Sequence, residues 1–448
     1  MKLKHAAAVL TFALALSAGL RADNDGISVK VAYTDTKAFR EAVRLYENGM
    51  YSRSRYLFDE LSDKVGGSDI RAYSVLCDIR TEAPGYEGRM KSFIAAFPHS
   101  VMVPQMRYYH ALNLFDAMDY EKASEEFYKI TDKDLYRGQR TEYTFKKAYC
   151  DLEAGRLESA KANFMKVEQK QFSDYSAPSR YAIGYIEYQL KNFPDAITWF
   201  GKASFDNRFK DISNYYILEC RFMLNDYKYV TDYGVKMYET VPADRKAHLA
   251  RIISESFLVQ GDAESARRFY ELSSDLTGAQ KSRADLFFSG SVLYAVEDYK
   301  GAVENYSQMT DRTDSLGQIA NYHMGYSYIQ MKDKVSALTA FKDASAQSYD
   351  PVMAEDAFFN YAKLAFDINN DTSAFREYLK TCTDKERGET IYSYMAVAAL
   401  YDHDYAGAID AYDQIDELDA DMKANYMKAN YLRADQLIRN GSYRMAIP

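Results

Sequence analysis

The stretch "DYEKASEEFYKI" at residues 119–130 returns along the chain in altered form. Similar segments are "NFPDAITWFGKA" at 192–203, "DYKGAVENYSQM" at 298–309 and "DYAGAIDAYDQI" at 404–415. Each copy opens with an acidic or amide residue and an aromatic, has a small residue three positions later, and another aromatic four positions after that. Because the residues between change freely, the pattern indicates a repeated shape rather than repeated chemistry.

The small residue of this segment marks the period of the repeat. Equivalent positions continue between and beyond the four copies at spacings of 34–38 residues. They are Ser54, Arg89, Ala123, Ala160, Ala196, Val230, Ala266, Ala302, Ala337, Ala374, Ala408 and Ala446. A near-constant period of this length is typical of a solenoid, so the chain is predicted to contain about twelve stacked units.

Two amphipathic helices are predicted in each copy. Residues 105–117 place Tyr108, Ala111, Leu112 and Phe115 at the three- and four-residue spacing of one helical face. After a short turn, the quoted segment supplies the second helix. We expect its small residue to lie where the two helices cross closely, and the aromatic four positions later to fill the wider space beside the crossing. These large residues are Phe127, Phe164, Phe200, Tyr270, Tyr306, Phe341 and Tyr412.

Residues 109–130 and 322–344 resemble tetratricopeptide (TPR) repeats. The small residue of that family's first helix, helix A, matches Ala111, Ala148, Gly184, Gly290, Gly325, Ala362 and Ala396. The resemblance covers about residues 33–448. It implies an all-α fold, a continuous right-handed α-solenoid of about twelve helix-turn-helix repeats with the last repeat incomplete. Arg89 and Val230 depart from the pattern, since alanine is expected at both positions.

Two features of the sequence resemble those of repeat proteins of the bacterial cell envelope. An aromatic stands three residues before the small helix A residue, and the segment "FPHSVMVP" lies between repeats at 97–104. Residues 1–22 agree with export. They have a basic start, an apolar run and small residues, which is the layout of a secretory signal peptide. The chain is therefore expected in the periplasm or cell envelope. No later stretch is long and apolar enough to predict a transmembrane segment.

The sequence contains no motif for catalysis or cofactor binding, and its histidines are scattered without metal-ligand spacing. We therefore expect no enzyme activity, no cofactor and no metal site. A net charge of −9 without basic runs argues against nucleic acid as a partner. The four cysteines are expected to be buried free thiols that act as small apolar residues, since Cys150 and Cys220 lie on repeats too far apart for a disulfide.

Helix A is expected to line an inner groove, as the TPR resemblance implies. Candidate partner-binding residues lie three before and one after its small residue: Tyr181 and Tyr185 in the fifth copy, Tyr322 and Tyr326 in the ninth. Tyrosine offers a rigid ring and a hydroxyl at low entropic cost. The alternative role of these tyrosines is to pack between neighbouring repeats. An aromatic recurs in many copies three residues before the small residue, which favours packing for Tyr181 and Tyr322.

Together these features predict a non-catalytic protein-protein interaction scaffold of the bacterial cell envelope that binds partner segments along the groove. The alternative is a surface glycan- or nutrient-binding helical protein, although this chain lacks a lipobox cysteine and long insertions. In the twelfth copy, Tyr431 and Ala434 fall in helix A and Ala446 opens a second helix that is very short. We therefore expect a longer natural chain, a partner or a second copy in end-to-end contact to cover this repeat.

Overall fold

The protein is represented by a computed structural model. It describes residues 37–64, 67–170, 173–275 and 281–446, so the predicted signal peptide at 1–22 lies outside the described residues. The chain divides between Tyr229 and Val230 into two compact units.

The first unit contains eleven complete helices within its described residues. They are α1 (Lys37–Glu47), α2 (Tyr51–Lys64), α3 (Ser68–Arg80), α4 (Tyr86–Ala96), α5 (Val103–Asp116), α6 (Tyr120–Tyr128), α7 (Gln139–Glu153), α8 (Leu157–Glu168), α9 (Ser176–Gln189), α10 (Phe193–Ala203) and α11 (Lys210–Met223). A 3-10 helix, Asp132–Asp134, follows α6, and α12 (Tyr227–Thr240) contains the division between the units.

The second unit contains eleven further helices within its described residues. They are α13 (Ala243–Val259), α14 (Ala263–Asp275), α15 (Arg283–Ala295), α16 (Tyr299–Ser307), α17 (Ser315–Gln330), α18 (Lys334–Ser345), α19 (Pro351–Asn369), α20 (Ser373–Thr381), α21 (Lys385–Tyr401), α22 (Tyr405–Tyr412) and α23 (Ala420–Arg439). A 3-10 helix, Tyr443–Met445, follows α23.

All regular elements of the described residues are helical, which confirms the predicted all-α fold of helix-turn-helix repeats. Within each unit the two helices of a repeat pack together, and A helices of neighbouring repeats also touch, as α3 touches α5 and α17 touches α19. An amphipathic helix cannot bury its apolar stripe alone, so each repeat completes the core of its neighbours.

The backbone marks the repeat at a point that the sequence patterns did not identify. Each turn between helix A and helix B has a residue with a positive φ just after helix A, and the second repeat has another such residue, Gly85. The residues just after helix A are Gly49, Glu82, Met118, Gly155, Lys191, Asn225, Gly261, Glu297, Lys332, Asn370, His403 and Gly441. In most copies the left-handed residue stands five positions before the small residue of helix B. This conformation ends helix A and turns the chain into helix B.

The aspartate that opens three of the quoted segments caps helix B, and Asp333 does so at the equivalent position of another repeat. The side chains of Asp119, Asp298, Asp333 and Asp404 each accept a hydrogen bond from the backbone N–H three residues further on. Such a cap satisfies one of the free N–H groups at the start of a helix.

The predicted close crossing is present in both units. Ala123, Ala196 and Ala302 are fully buried, and so are Phe127, Phe200 and Tyr306 four residues further on. At Ser54 the crossing is close enough for the hydroxyl to donate a 2.8 Å hydrogen bond to the Ala42 carbonyl on the facing helix.

Two positions differ from the regular pattern. Arg89, which stands at a small-residue position, donates to the buried carboxylate of Asp78 at 2.5 Å, and Arg55 approaches the same carboxylate at 2.8 Å. In the seventh repeat the large residue was predicted to be Tyr270, but Phe269 fills the core at 4% exposure and Tyr270 is half-buried.

All four cysteines are free, as predicted, and Cys77, Cys150 and Cys220 are buried. Burial was expected of Cys382 as well, but it is only half-buried. Cys77 occupies a small-residue position of helix A and is fully buried. No helix of the described part of the chain combines the length and the apolar character needed to cross a bilayer.

Candidate partner-binding surface

The first predicted tyrosine pair lies in the core of the first unit. On α9, Tyr181 is 0% exposed and Tyr185 is 2% exposed. The Tyr181 ring contacts Phe200 and Phe209 at centroid distances of 5.6 and 5.4 Å, and Tyr216 of α11 lies 5.8 Å from Tyr185. Their burial corresponds to the alternative role of packing between repeats, so neither ring presents a surface to a partner.

The second predicted pair lies in the second unit at a partly open surface. Tyr322 and Tyr326 on α17 are half-buried, and their rings meet edge to face with centroids 5.0 Å apart. Both hydroxyls donate to one carboxylate oxygen of Asp356 on α19, Tyr322 at 2.8 Å and Tyr326 at 2.7 Å. The structure therefore brings this pair together through a residue that the repeat pattern did not identify.

Asp356 is the centre of a network that joins three A helices. Arg387 of α21 donates to its second carboxylate oxygen at 2.6 Å, and Asn360 donates to the first at 3.0 Å. Burial acts to raise the pKa of Asp356, but hydrogen bonds from Tyr326, Tyr322 and Arg387 outweigh it, so the pKa is lowered. The carboxylate stays ionised and fixes these side chains in place.

Beside this network, an aromatic ring lies between two cations. The Arg387 guanidinium is 5.1 Å from the centre of the Phe359 ring, and the Lys363 ammonium is 5.2 Å from it. Lys363 is also 5.9 Å from the Tyr394 ring, and within the described residues it has no carboxylate within 4 Å. Phe359 and Lys363 occupy the same positions on α19 as Tyr322 and Tyr326 on α17. We call Tyr322, Tyr326, Phe359, Lys363 and Arg387 the α17–α21 surface.

A related contact occurs at the same repeat positions in the first unit. Tyr108 donates to Glu142 at 2.8 Å across 34 residues, the separation between Tyr322 and Asp356. Glu142 and Asp356 both stand six residues before the small residue of their helix A. An acidic residue at this position, one repeat after a tyrosine, is the sequence signal that would have identified Asp356.

The histidines lie apart from one another in the described residues, and none belongs to a cluster of metal-ligating side chains. Among the described residues there is no group of three or more His, Cys, Asp or Glu side chains that could hold a metal ion. His323 lies instead in a packed environment, with its ring stacked on Tyr294 at 4.2 Å and a 2.9 Å hydrogen bond to the Tyr306 hydroxyl.

No protein-family model matches this chain, and no curated protein matches it. Solved structures that are similar to it include the TPR domain of P58(IPK). That domain is 14% identical, with 74% of this chain and 99% of that chain covered and a TM-score of 0.23. The apo form of the quorum sensor NprR from B. thuringiensis is 15% identical, with 79% of this chain and 98% of that chain covered and a TM-score of 0.26. Since both TM-scores are low, the repeat architecture rests on the helix pairs of the chain itself.

Proposed function

We propose that this chain is a non-catalytic scaffold that binds segments of other proteins along the α17–α21 surface. The observation that carries the proposal is the row of partly open aromatic and cationic side chains on three successive A helices. Tyrosine and arginine are enriched among the residues that dominate binding energy at protein interfaces. Each occurs here beside apolar rings that a bound segment can cover.

Preorganisation supports the same role. Four donors from three helices meet on the Asp356 carboxylate, so Tyr322, Tyr326 and Arg387 are held before any partner arrives. Rigid side chains lose less entropy on binding than mobile ones, and this improves affinity. A partner would lie across the three A helices as an extended or helical segment.

We further propose that this function is carried out in the periplasm or cell envelope of a bacterium. The support comes from the pattern of residues 1–22, which has the layout of a secretory signal peptide.

Site-specific photocrosslinking tests the binding surface. A benzophenone amino acid would replace Lys363 in one variant and Glu304 of α16 in another, and each would be exposed to an extract of the producing cells. Glu304 is a suitable control because its side chain is 62% exposed and belongs to the same unit. We expect discrete protein adducts from position 363 that Arg387→Ala weakens, and no such adducts from position 304. Equal adducts at both positions, or none at 363, would refute the surface.

A further inference from the structure

A second surface lies on the first unit. It is an open cleft of about 1250 Å³ between the helix A to helix B turns of the third and fourth repeats. Its walls come from the turn after α5, from α6 along its whole length, and from the end of α7 with the turn that follows it. The volume exceeds the roughly 300–1,000 Å³ of common small-molecule pockets, so the cleft suits a chain segment better than a metabolite.

Apolar groups form one part of the cleft. Met118 is 66% exposed and Tyr128 is 51% exposed, although both are large hydrophobic residues. Tyr120, which also lines the cleft, packs against Tyr149 at a centroid distance of 5.2 Å and is held by that contact. Exposed apolar groups gathered at one concave place indicate a contact surface.

The other part of the cleft carries negative charge that the described residues leave uncompensated. Glu121, Glu125 and Glu153 line it, and in the described part of the chain none of them has a cation within 4 Å. The one lining arginine, Arg156, is already engaged, since it donates to Asp151 and to Ser124 at 2.7 Å each.

Of the three glutamates, Glu153 is the one that a nearby cation would stabilise most. It is half-buried at the wall of the cleft, where desolvation raises its pKa although a hydrogen bond from Tyr149 acts in the opposite direction. A carboxylate that has lost part of its water without gaining a cation is stabilised when a positive group approaches it.

We propose that this cleft binds an extended protein segment that carries arginine or lysine side chains, whose cations meet the three glutamates while their aliphatic stems cover Met118 and Tyr128. Arginine and lysine suit such a surface because each combines an apolar stem with a charged end. The proposal concerns another unit and another face of the repeats, so it goes beyond the binding role of the α17–α21 surface.

Fluorescence anisotropy with a defined peptide tests this cleft. The probe is a capped twelve-residue peptide of alternating arginine and alanine, and its matched control replaces each arginine by citrulline, which is neutral and of similar shape. The site variant of the full chain carries Glu121→Gln, Glu125→Gln and Glu153→Gln. The control variant carries Glu239→Gln, Glu264→Gln and Glu386→Gln, at exposed positions outside the cleft. The two variants have the same net charge.

We expect the site variant to bind the arginine peptide at least tenfold more weakly than the parent chain, and the control variant to stay within about threefold. Binding should fall with added salt, as expected for a charged contact. Equal weakening in both triple variants would show attraction by net charge alone and overturn the proposal, as would equal binding of the citrulline peptide. Circular dichroism of both variants checks that the helices are retained. If the site variant loses its helices, Met118→Asn combined with Glu125→Gln serves in its place.

Discussion

Gly290 and Gly201 are both helical glycines, but their surroundings differ. A Cβ atom at Gly290 would lie 2.7 Å from the ring of Tyr306, whereas one at Gly201 would meet no atom within 4 Å. The same close approach recurs at Gly184 against Phe200 and at Gly325 against Phe341. In these repeats the second helix places its aromatic ring directly on the glycine of the first, so helix A has no room for a side chain there.

This contrast predicts opposite effects of one substitution. Gly290→Ala should destabilise the chain by about 1–3 kcal/mol, since the Tyr306 ring must move out of a packed position. Gly201→Ala should stabilise it by up to about 1 kcal/mol, because alanine loses less conformational freedom in a helix than glycine. Urea unfolding of both variants beside the parent measures the two changes. Equal effects of the two substitutions would contradict the packing at Gly290.

A half-buried histidine, His323, makes stability depend on pH. Burial lowers the pKa of His323 to about 4, whereas an unfolded histidine titrates near pH 6.5. Between these values the unfolded chain binds a proton that the folded chain does not. Stability should therefore fall as the pH drops from about 6.5 to about 4, by about 3 kcal/mol in all from this residue.

The variant His323→Phe tests that pH dependence, because phenylalanine retains a ring against Tyr294 and has no proton to bind. Plotted against pH, the free energy of unfolding of the variant should be flatter than that of the parent over this window. Parallel curves for the two proteins would mean that His323 titrates normally in the folded state.

Helix α23 buries few of its residues. Ala429 is its one fully buried residue, and Met427 and Tyr431 are 72% and 74% exposed. By contrast, α17 buries residues along its length, including Ala320 and Met324, and packs against both α18 and α19. A helix that buries few of its residues depends more on its own marginal stability.

Amide hydrogen exchange should therefore be much faster in α23 than in α17. We expect local opening of α23 to expose its amides without unfolding the unit. The measurement uses dilute protein, so that contacts between copies are rare. Protection of α23 equal to that of α17 under these conditions would show that another surface covers it.

For the whole molecule, the two compact units allow a test of how far a packing defect spreads. In repeat proteins stability is approximately a sum of contributions from each repeat and its neighbours. Ala302 in the second unit and Ala160 in the first are both fully buried small residues at equivalent positions. Leucine at either position would overpack the crossing of the two helices and lower the free energy of unfolding by about 1–3 kcal/mol.

We expect Ala302→Leu to reduce amide protection chiefly in α15–α18, and Ala160→Leu chiefly in α7–α10. Glu304→Leu, at an exposed position on the same helix as Ala302, is the control for added apolar surface and should leave protection unchanged. A uniform loss of protection over both units from either buried substitution would indicate a single cooperative molecule instead.

The sequence by itself determined the repeat, its helix pairs and the positions of close crossing. A period of 34–38 residues and alternation of small and large residues are local properties, and the structure confirms them in residues such as Ala302 and Tyr306. The sequence could not determine which tyrosines of helix A remain exposed to solvent, because the burial of these side chains depends on the neighbouring repeat. Tyr216 of α11 covers Tyr185, whereas the residue at the corresponding position of α19 is Asn360, which leaves the surface polar and partly open.

Only the tertiary structure decided the Asp356 network and the acidic cleft. Both arise where side chains of successive repeats converge, at separations of about one repeat. The repeat period alone does not say which of these side chains meet. The physical reason is that a repeat pattern fixes the directions of side chains on one helix, while their partners are fixed by how closely the next repeat stacks. The packing within each repeat therefore follows from the sequence, whereas the two proposed binding surfaces depend on how the repeats are assembled.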